Sequence, residues 1–312
     1  MKKRLHFWLI AFVLVLMGQA GSVAYAQNPQ TIEVGPHFGA TSYIGELNTW
    51  RNLKDWEWKS FNQFHYDLGA VVRFNYDSRW AFRLDYTYGT FRARDVAAAW
   101  RPEAQLSFQS KVHDLALMAE FNFLNYYTGR PESSISPYIF AGVSGFMFNS
   151  HPFTNDSLLA PIFDTLCFRT LGAEPGTYGK YALSIPFGIG CKLSLSKHLA
   201  ATLEWRMHYT FTDYLDDVHG VYPEDGKHAL LVPKKDENGN IPYSQGRPKE
   251  YEIVYSDGDQ SMVYDFSDPS GLFSKGQQRG NHTTNDWFGM INLSITWKFV
   301  IPGNSACKMN IE

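Results

Sequence analysis

Apolar and polar residues alternate along most of this chain, in runs of about ten. From Tyr66 to Tyr76 one face reads Tyr66, Leu68, Ala70, Val72, Phe74 and Tyr76, and the other Asp67, Gly69, Val71, Arg73 and Asn75. From Trp80 to Tyr88, Trp80, Phe82, Leu84, Tyr86 and Tyr88 oppose Ala81, Arg83, Asp85 and Thr87. Tyr181 to Leu195 sets Tyr181, Leu183, Ile185, Phe187, Ile189, Cys191 and Leu193 against Ser184, Pro186, Gly188, Gly190 and Lys192. Ala201 to Phe211 sets Leu203, Trp205, Met207 and Tyr209 against Thr202, Glu204, Arg206, His208 and Thr210. Side chains alternate in this way across a strand, and about ten residues cross a bilayer when the strand is tilted.

Four further segments complete the set. Ile32 to Ile44 alternates around Val34 and Phe38, and Trp287 to Phe299 around Ile291, Leu293, Ile295, Trp297 and Phe299. Within residues 105–123, Leu115, Leu117, Ala119, Phe121 and Phe123 share a face, while Leu106 and Phe108 have the opposite parity. A bulge or a strand end is expected between them. Pro137 to Phe148 is apolar on both faces, which leaves its parity open. Eight strands result, an even number as in bacterial single-chain barrels.

A soluble β-sandwich would alternate too, and two features separate the cases. Aromatic residues sit at the ends of the apolar stripes: Tyr66 and Tyr76, Trp80 and Tyr88, Tyr181, Tyr209, Trp287 and Trp297. Membrane barrels carry such girdles at both interfaces. The connections also alternate in length. Residues 77–79 and 196–198 are tight turns, whereas 45–63, 93–104, 150–178 and 213–285 are long. The expected fold is all-β: an eight-stranded antiparallel up-and-down transmembrane barrel with long extracellular loops. The termini and the connections 77–79, 124–136 and 196–198 then face the periplasm.

The first residues explain how such a chain would reach an outer membrane. Lys2, Lys3 and Arg4 precede an apolar run from Phe7 to Met17, followed by Ala24-Tyr25-Ala26. This is the layout of a cleaved secretory signal, and the run is shorter than the roughly 20 residues of a spanning helix. The expected division is a signal peptide at 1–26, the barrel at 27–300 with its long loop at 213–285, and a periplasmic tail at 301–312.

Composition refines this picture. The formal net charge of −3 offers no basic stripe for nucleic acid. A mean hydropathy of −0.30 is what alternating faces give when averaged. Cys167, Cys191 and Cys307 are an odd number at spacings that match no metal motif, and they read as incidental. No cofactor site is evident.

Candidate chemistry lies mainly on the inward faces. Glu33, His37, Asp67, Arg73, Arg83, Asp85, Asp114, Glu120, Lys192, Glu204 and Arg206 all point there. Charges of both signs inside a narrow barrel predict an ion-pair network across the lumen rather than an ion pathway. No serine stands in a nucleophile context, and His208 reads as a network member rather than a catalytic base. The run Asp213, Asp216 and Asp217 is a possible cation cluster, or else a set of turn caps, and 236–240 resembles a calcium loop without its terminal glutamate. Asp156-Ser157-Leu158 and Asp164-Thr165-Leu166 fit a short O-glycosylation pattern. Leu293-x-Ile295-x-Trp297-x-Phe299 resembles the terminal strand read by the outer-membrane insertion machinery.

Several segments, taken in order, carry a family resemblance. They are Glu33-Val34-Gly35, Tyr43-Ile44-Gly45-Glu46-Leu47-Asn48, Arg83-Leu84-Asp85-Tyr86 and Ala119-Glu120-Phe121-Asn122-Phe123. Then come Ser136-Pro137-Tyr138, Ala141-Gly142, Ser184-Ile185-Pro186-Phe187-Gly188 and, most specific, Thr212-Asp213-Tyr214-Leu215-Asp216-Asp217-Val218. The chain resembles the PorG-like outer-membrane barrels of the type IX secretion system of Bacteroidetes. That resemblance implies a non-enzymatic subunit associated with the periplasmic ring of PorK lipoprotein and PorN, and not the translocation pore. It also implies a shorter loop than residues 219–283 provide. Two rival expectations stand beside it: a surface barrel that binds a ligand or host molecule through its long loops, and a narrow small-solute channel.

Overall fold

The computed structural model describes residues 30–45, 64–94, 106–152, 162, 179–218, 220–222, 228–244, 246–256, 262–273, 275–280 and 285–301. The expected signal segment, nearly all of the tail, Cys167, Cys307 and both glycosylation patterns lie outside the described residues.

Seven strands follow one another: β1 (Thr31–Ile44), β2 (His65–Asn75), β3 (Trp80–Arg94), β4 (Ser107–Asn122), β5 (Ile135–His151), β6 (Tyr181–Ser194) and β7 (Leu199–Thr210). Five short ones lie in the last long connection: β8 (His228–Pro233), β9 (Tyr243–Ser244), β10 (Arg247–Pro248), β11 (Tyr251–Ser256) and β12 (Tyr264–Asp265). The closing strand is β13 (Trp287–Val300). Strands β1 to β7 pair antiparallel in sequence order, and β13 joins β7 to β1, so the sheet closes into an eight-stranded barrel. The seam runs from Thr31↔Val300 to Ile44↔Trp287. Closure leaves no strand edge, which is the condition for a sheet to cross lipid. No described helix is long and apolar enough to span a membrane.

The outward faces are apolar over the whole circumference. Leu68, Val72, Leu84, Leu117, Val143, Ile189, Leu203, Ile291 and Leu293 all stand exposed, a continuous belt that water would not tolerate. Tyr76, Trp80, Trp297 and Phe299 ring one end of it, and Tyr66, Tyr86, Tyr181 and Phe211 the other. The molecule is an integral outer-membrane β-barrel. The expected membrane-targeting residues Leu293, Ile295, Trp297 and Phe299 all face this belt on β13.

The structure corrects one expectation. Strand β4 runs unbroken, paired with β3 from Arg94↔Ser107 to Trp80↔Phe121 and with β5 from Gln109↔His151 to Asn122↔Tyr138, without a bulge. Leu106, Phe108 and Val112 are buried inside the barrel. The parity shift arises because the lumen changes from polar to apolar towards the long-loop end, not because the strand is displaced. The same change resolves β5: Tyr138, Phe140, Phe146 and Phe148 face inward, Ile139, Val143 and Met147 outward.

Two prolines sit inside strands. At Pro36 the β1–β13 ladder skips two residues, and at Pro186 the β5–β6 ladder does the same. Proline offers no N–H to the ladder, yet the register resumes unchanged on either side. The long connection is not an open loop. Strands β11, β8 and β12 form a small sheet with a core of Ala229, Leu231 and Phe266.

Candidate functional site

The barrel interior is the most organised polar region of the molecule. Glu33, Asp67, Arg73, Arg83, Asp85, Asp114, Glu120, Lys192, Glu204 and Arg206 are all buried there. Glu120 is the hub. Its carboxylate meets Arg73 Nε at 3.0 Å, Arg83 Nε at 3.2 Å and Lys192 Nζ at 2.5 Å. Arg73 Nη1 reaches on to Glu33 at 3.0 Å. Arg83 also donates to Glu204, which accepts the Tyr138 hydroxyl as well. Arg206 links Glu204 at 3.3 Å to Asp85 at 2.9 Å. His37 extends the chain from Asp85 at 3.2 Å to Asp67 at 3.7 Å. The network therefore crosses from β1 through β2, β3, β4, β6 and β7.

Aromatic faces complete it. Arg83 lies 4.5 Å over the Phe140 ring and Lys192 4.6 Å over Tyr138. That explains the inward aromatics of β5, since cations gain attraction from a ring face where water is excluded. Gly190 and Gly69 make room. A Cβ on Gly190 would lie 2.7 Å from the Tyr138 ring, and one on Gly69 2.3 Å from His37 Nε2.

Asp114 stands apart. It is fully buried, and among the described residues neither carboxylate oxygen has a hydrogen-bond partner of good geometry. His208 Nδ1 meets Ser184 Oγ at 3.0 Å, and its ring stacks on Phe288 at 4.1 Å. His208 thus sits where the polar and apolar layers of the lumen meet.

Both ends of the lumen are closed. At the short-turn end the connection after β4 folds across the opening instead of simply reversing the chain. Tyr126 and Thr128 are buried. Thr128 Oγ1 donates to Glu33 at 2.5 Å, Gly129 N donates to Ser194 Oγ at 2.7 Å, and Lys298 donates to the Thr128 carbonyl. Gly129 adopts φ +90° with Lys197 backbone atoms where a Cβ would be, a conformation and a space that suit glycine.

At the long-loop end the segment 213–218, which carries the family resemblance, enters the barrel mouth. Leu215 and Val218 pack among Tyr43, Phe91, Phe108, Val112, Phe146, Phe148, Phe288 and Met290. Asp216 and Asp286 fix the segment: the Tyr43 hydroxyl is 2.7 Å from Asp216 Oδ2 and 2.6 Å from Asp286 Oδ1. Leu215 N donates to Asp286 Oδ2 at 2.9 Å, and Ser150 Oγ to the Leu215 carbonyl at 2.6 Å. Asp217 takes φ +62°, and its carbonyl accepts from buried Arg279 at 3.2 Å. Asp213 is buried, with Tyr214 beside it at the edge of the apolar cluster. Among the described residues no three His, Cys, Asp or Glu side chains meet in a metal-holding group. Asp236 caps its own turn, accepting from Asn238 N and Asn240 N.

Asp286 gives this closure a pH dependence. The Tyr43 hydroxyl lies between the carboxylates of Asp216 and Asp286. Burial first, and then the charge of Asp216, raise the Asp286 titration point well above the ordinary range. A raised acid favours the fold in its protonated form, so its contribution is full below the ordinary range and is lost as pH rises through the raised value. Hydrogen exchange at the Leu215 amide, corrected for intrinsic rates, is expected to quicken with rising pH, and Asp286→Asn is expected to flatten that dependence.

Of the residues expected in the lumen, the structure joins all but Asp114 into one network. Sequence reasoning did not find Tyr43, Asp286 or Arg279, which hold the mouth shut. Tyr43 lay within a recognised segment. Asp286 gave a faint signal as the last polar residue before an alternating strand.

The family model described as "Domain of unknown function (DUF6089)" matches residues 8–232. No curated protein matches the chain. Among solved structures, the N-terminal β-barrel domain of Pseudomonas aeruginosa OprF is 10% identical, over 86% of this chain and 97% of that one, with a TM-score of 0.32. Neisserial surface protein A is 9% identical, over 86% and 97%, with a TM-score of 0.34. A major outer membrane protein from Thermus thermophilus is 11% identical, over 87% and 100%, with a TM-score of 0.36.

Proposed function

The chain belongs to the DUF6089 family, and from that premise we propose that it is a non-enzymatic, non-conducting barrel subunit of a type IX secretion apparatus. Its partner in this reading is the periplasmic ring of PorK and PorN. The observation that supports it best is a lumen filled by ion pairs and sealed at both ends. A barrel that passes nothing serves instead as a fixed point in the membrane. The ordered motifs that resemble PorG-like proteins, ending in Thr212–Val218, supply the machine. The docking face in this reading is the periplasmic end: the turns at 77–79, 124–136 and 196–198, the segment from Gln27 to Thr31 and the tail.

Deleting the gene tests the role. Cargo bearing the C-terminal secretion signal should accumulate in the periplasm, and PorK and PorN should co-purify with the tagged barrel from membranes. Intact secretion in the deletion strain rules the role out. The purified protein in a planar bilayer should give no steady conductance. Stable ohmic openings would instead favour the small-solute channel.

A second reading has an observation of its own. The sheet of β8, β11 and β12 carries its own small core beyond the barrel mouth, which suits a surface module that binds a ligand or host molecule. Excising residues 228–265 separates the two readings. Secretion unaffected, with a lost surface interaction, would favour the module.

A further inference from the structure

We propose that the outer edge of β11 pairs two copies of this chain, strand to strand, through their long-loop modules. The direction of each backbone group decides which edge is open. Just past β8, Lys234 N donates to Glu250 O at 3.0 Å on the side that meets β11, while Val263 N and Phe266 N each donate at 2.8 Å to the Leu231 and Ala229 carbonyls on the other side. In an antiparallel ladder a residue's N–H and C=O point to the same side, and successive residues alternate. Register sets Glu252 opposite Val232, Ile253 opposite Leu231 and Val254 opposite Leu230. Glu252, Val254 and Ser256 therefore bond to β8, and Tyr251, Ile253 and Tyr255 direct their N–H and C=O groups away from it. Among the described residues no strand takes up that side, and these three have no other backbone partner.

A row of unpaired backbone groups is a template for a further strand, and proteins blunt such edges with very short strands, proline or lysine. The neighbouring strands follow that rule. Strands β9, β10 and β12 have 2 residues each, and β10 carries Pro248. Strand β11 departs from it, with 6 residues and neither proline nor lysine.

The order of residues along this edge fits its own copy. With Ile253 opposite itself on a two-fold axis, Tyr251 meets Tyr255 on either side, and Glu252 meets Val254. Each outward N–H then faces a carbonyl. The one charge of the strand meets an apolar side chain, where like charges directly opposite would destabilise the pair. The Tyr–Tyr pairs that flank the axis are a favoured cross-strand combination. A patch complementary to itself closes into a two-fold dimer instead of growing into an open chain. Barrels in one membrane also share one orientation, which holds their long-loop modules at one height.

The test is sedimentation of the purified, folded barrel in density-matched detergent over a range of concentrations, for the wild type, Tyr255→Ala and Tyr255→Pro. Tyr255 is 47% exposed and its N–H points away from β8, so proline there leaves the β8 ladder whole. The wild type should dimerise. Tyr255→Pro, which removes one hydrogen bond from each side of the axis, should associate at least about tenfold more weakly than Tyr255→Ala, which keeps both. Heat-modifiable gel mobility checks that each variant is folded. Amide-resolved hydrogen exchange needs no variant and decides the matter if the proline form fails to fold. The Ile253 and Tyr255 amides should exchange more slowly as protein concentration rises, while those of Glu252 and Val254 stay protected throughout. A wild type that remains monomeric to about 0.1 mM overturns the proposal, whether or not it takes up an extended peptide along β11. Equal association of the proline and alanine variants overturns it too, as does exchange at Ile253 and Tyr255 that ignores concentration.

Discussion

Replacing Glu120 by alanine is expected to lower the unfolding free energy by about 3–5 kcal/mol. Urea unfolding in lipid vesicles, followed by tryptophan fluorescence, measures it. The size follows from what is left behind. Glu120 is buried and holds Arg73, Arg83 and Lys192, so its loss leaves three buried cations to Glu33 and Glu204. Breaking a buried pair costs more than the pair contributes, because the orphaned charges cannot reach water. The double variant Glu120→Ala/Lys192→Met should therefore be more stable than the sum of the single changes indicates, by a coupling of about 0.5–3 kcal/mol. Strict additivity would show that Lys192 and Glu120 do not act together.

Leu117→Arg should destabilise the barrel by about 2–4 kcal/mol in the same assay, the range for a cation at the bilayer midplane. Leu117 faces outward, 57% exposed, and lies opposite Leu84, midway between the rings at Trp80 and Tyr88. The same change at His113, four residues nearer the rim, should cost about 0–1 kcal/mol, as expected near an interface. This gradient separates lipid contact from contact with a protein core. A core position would penalise arginine heavily at both sites.

The barrel was legible because lipid and lumen impose opposite demands on successive residues. Tyr66 to Tyr76 and Ala201 to Phe211 show that contrast at nearly every position, and their boundaries agree with β2 and β7 to within a residue or two. Legibility failed where the demands coincided. Phe108, Val112, Phe146 and Phe148 face an apolar plug inside and an apolar solvent outside, so β5 gave no parity and β4 falsely suggested a bulge. The ion-pair partners were readable as inward charges because no other inward position needs one. Their connectivity was not, since it depends on which strands close on which. The function of the acidic run at 213–217 was least accessible. Its carboxylates read as a cation cluster or caps, while Asp216 serves to hold Tyr43, a residue 173 positions away.

The crossing at Tyr126–Gly129 bears on how the wall behaves sideways. Thr128 reaches Glu33 on the first strand and Lys298 on the last, and Gly129 reaches Ser194 on the sixth. It thus acts as a stitch over the single junction between the two ends of the chain. Barrels that release molecules laterally into the bilayer do so by parting a strand pair. Here that junction is fastened from below, so parting this strand pair would first have to break the contacts of Thr128.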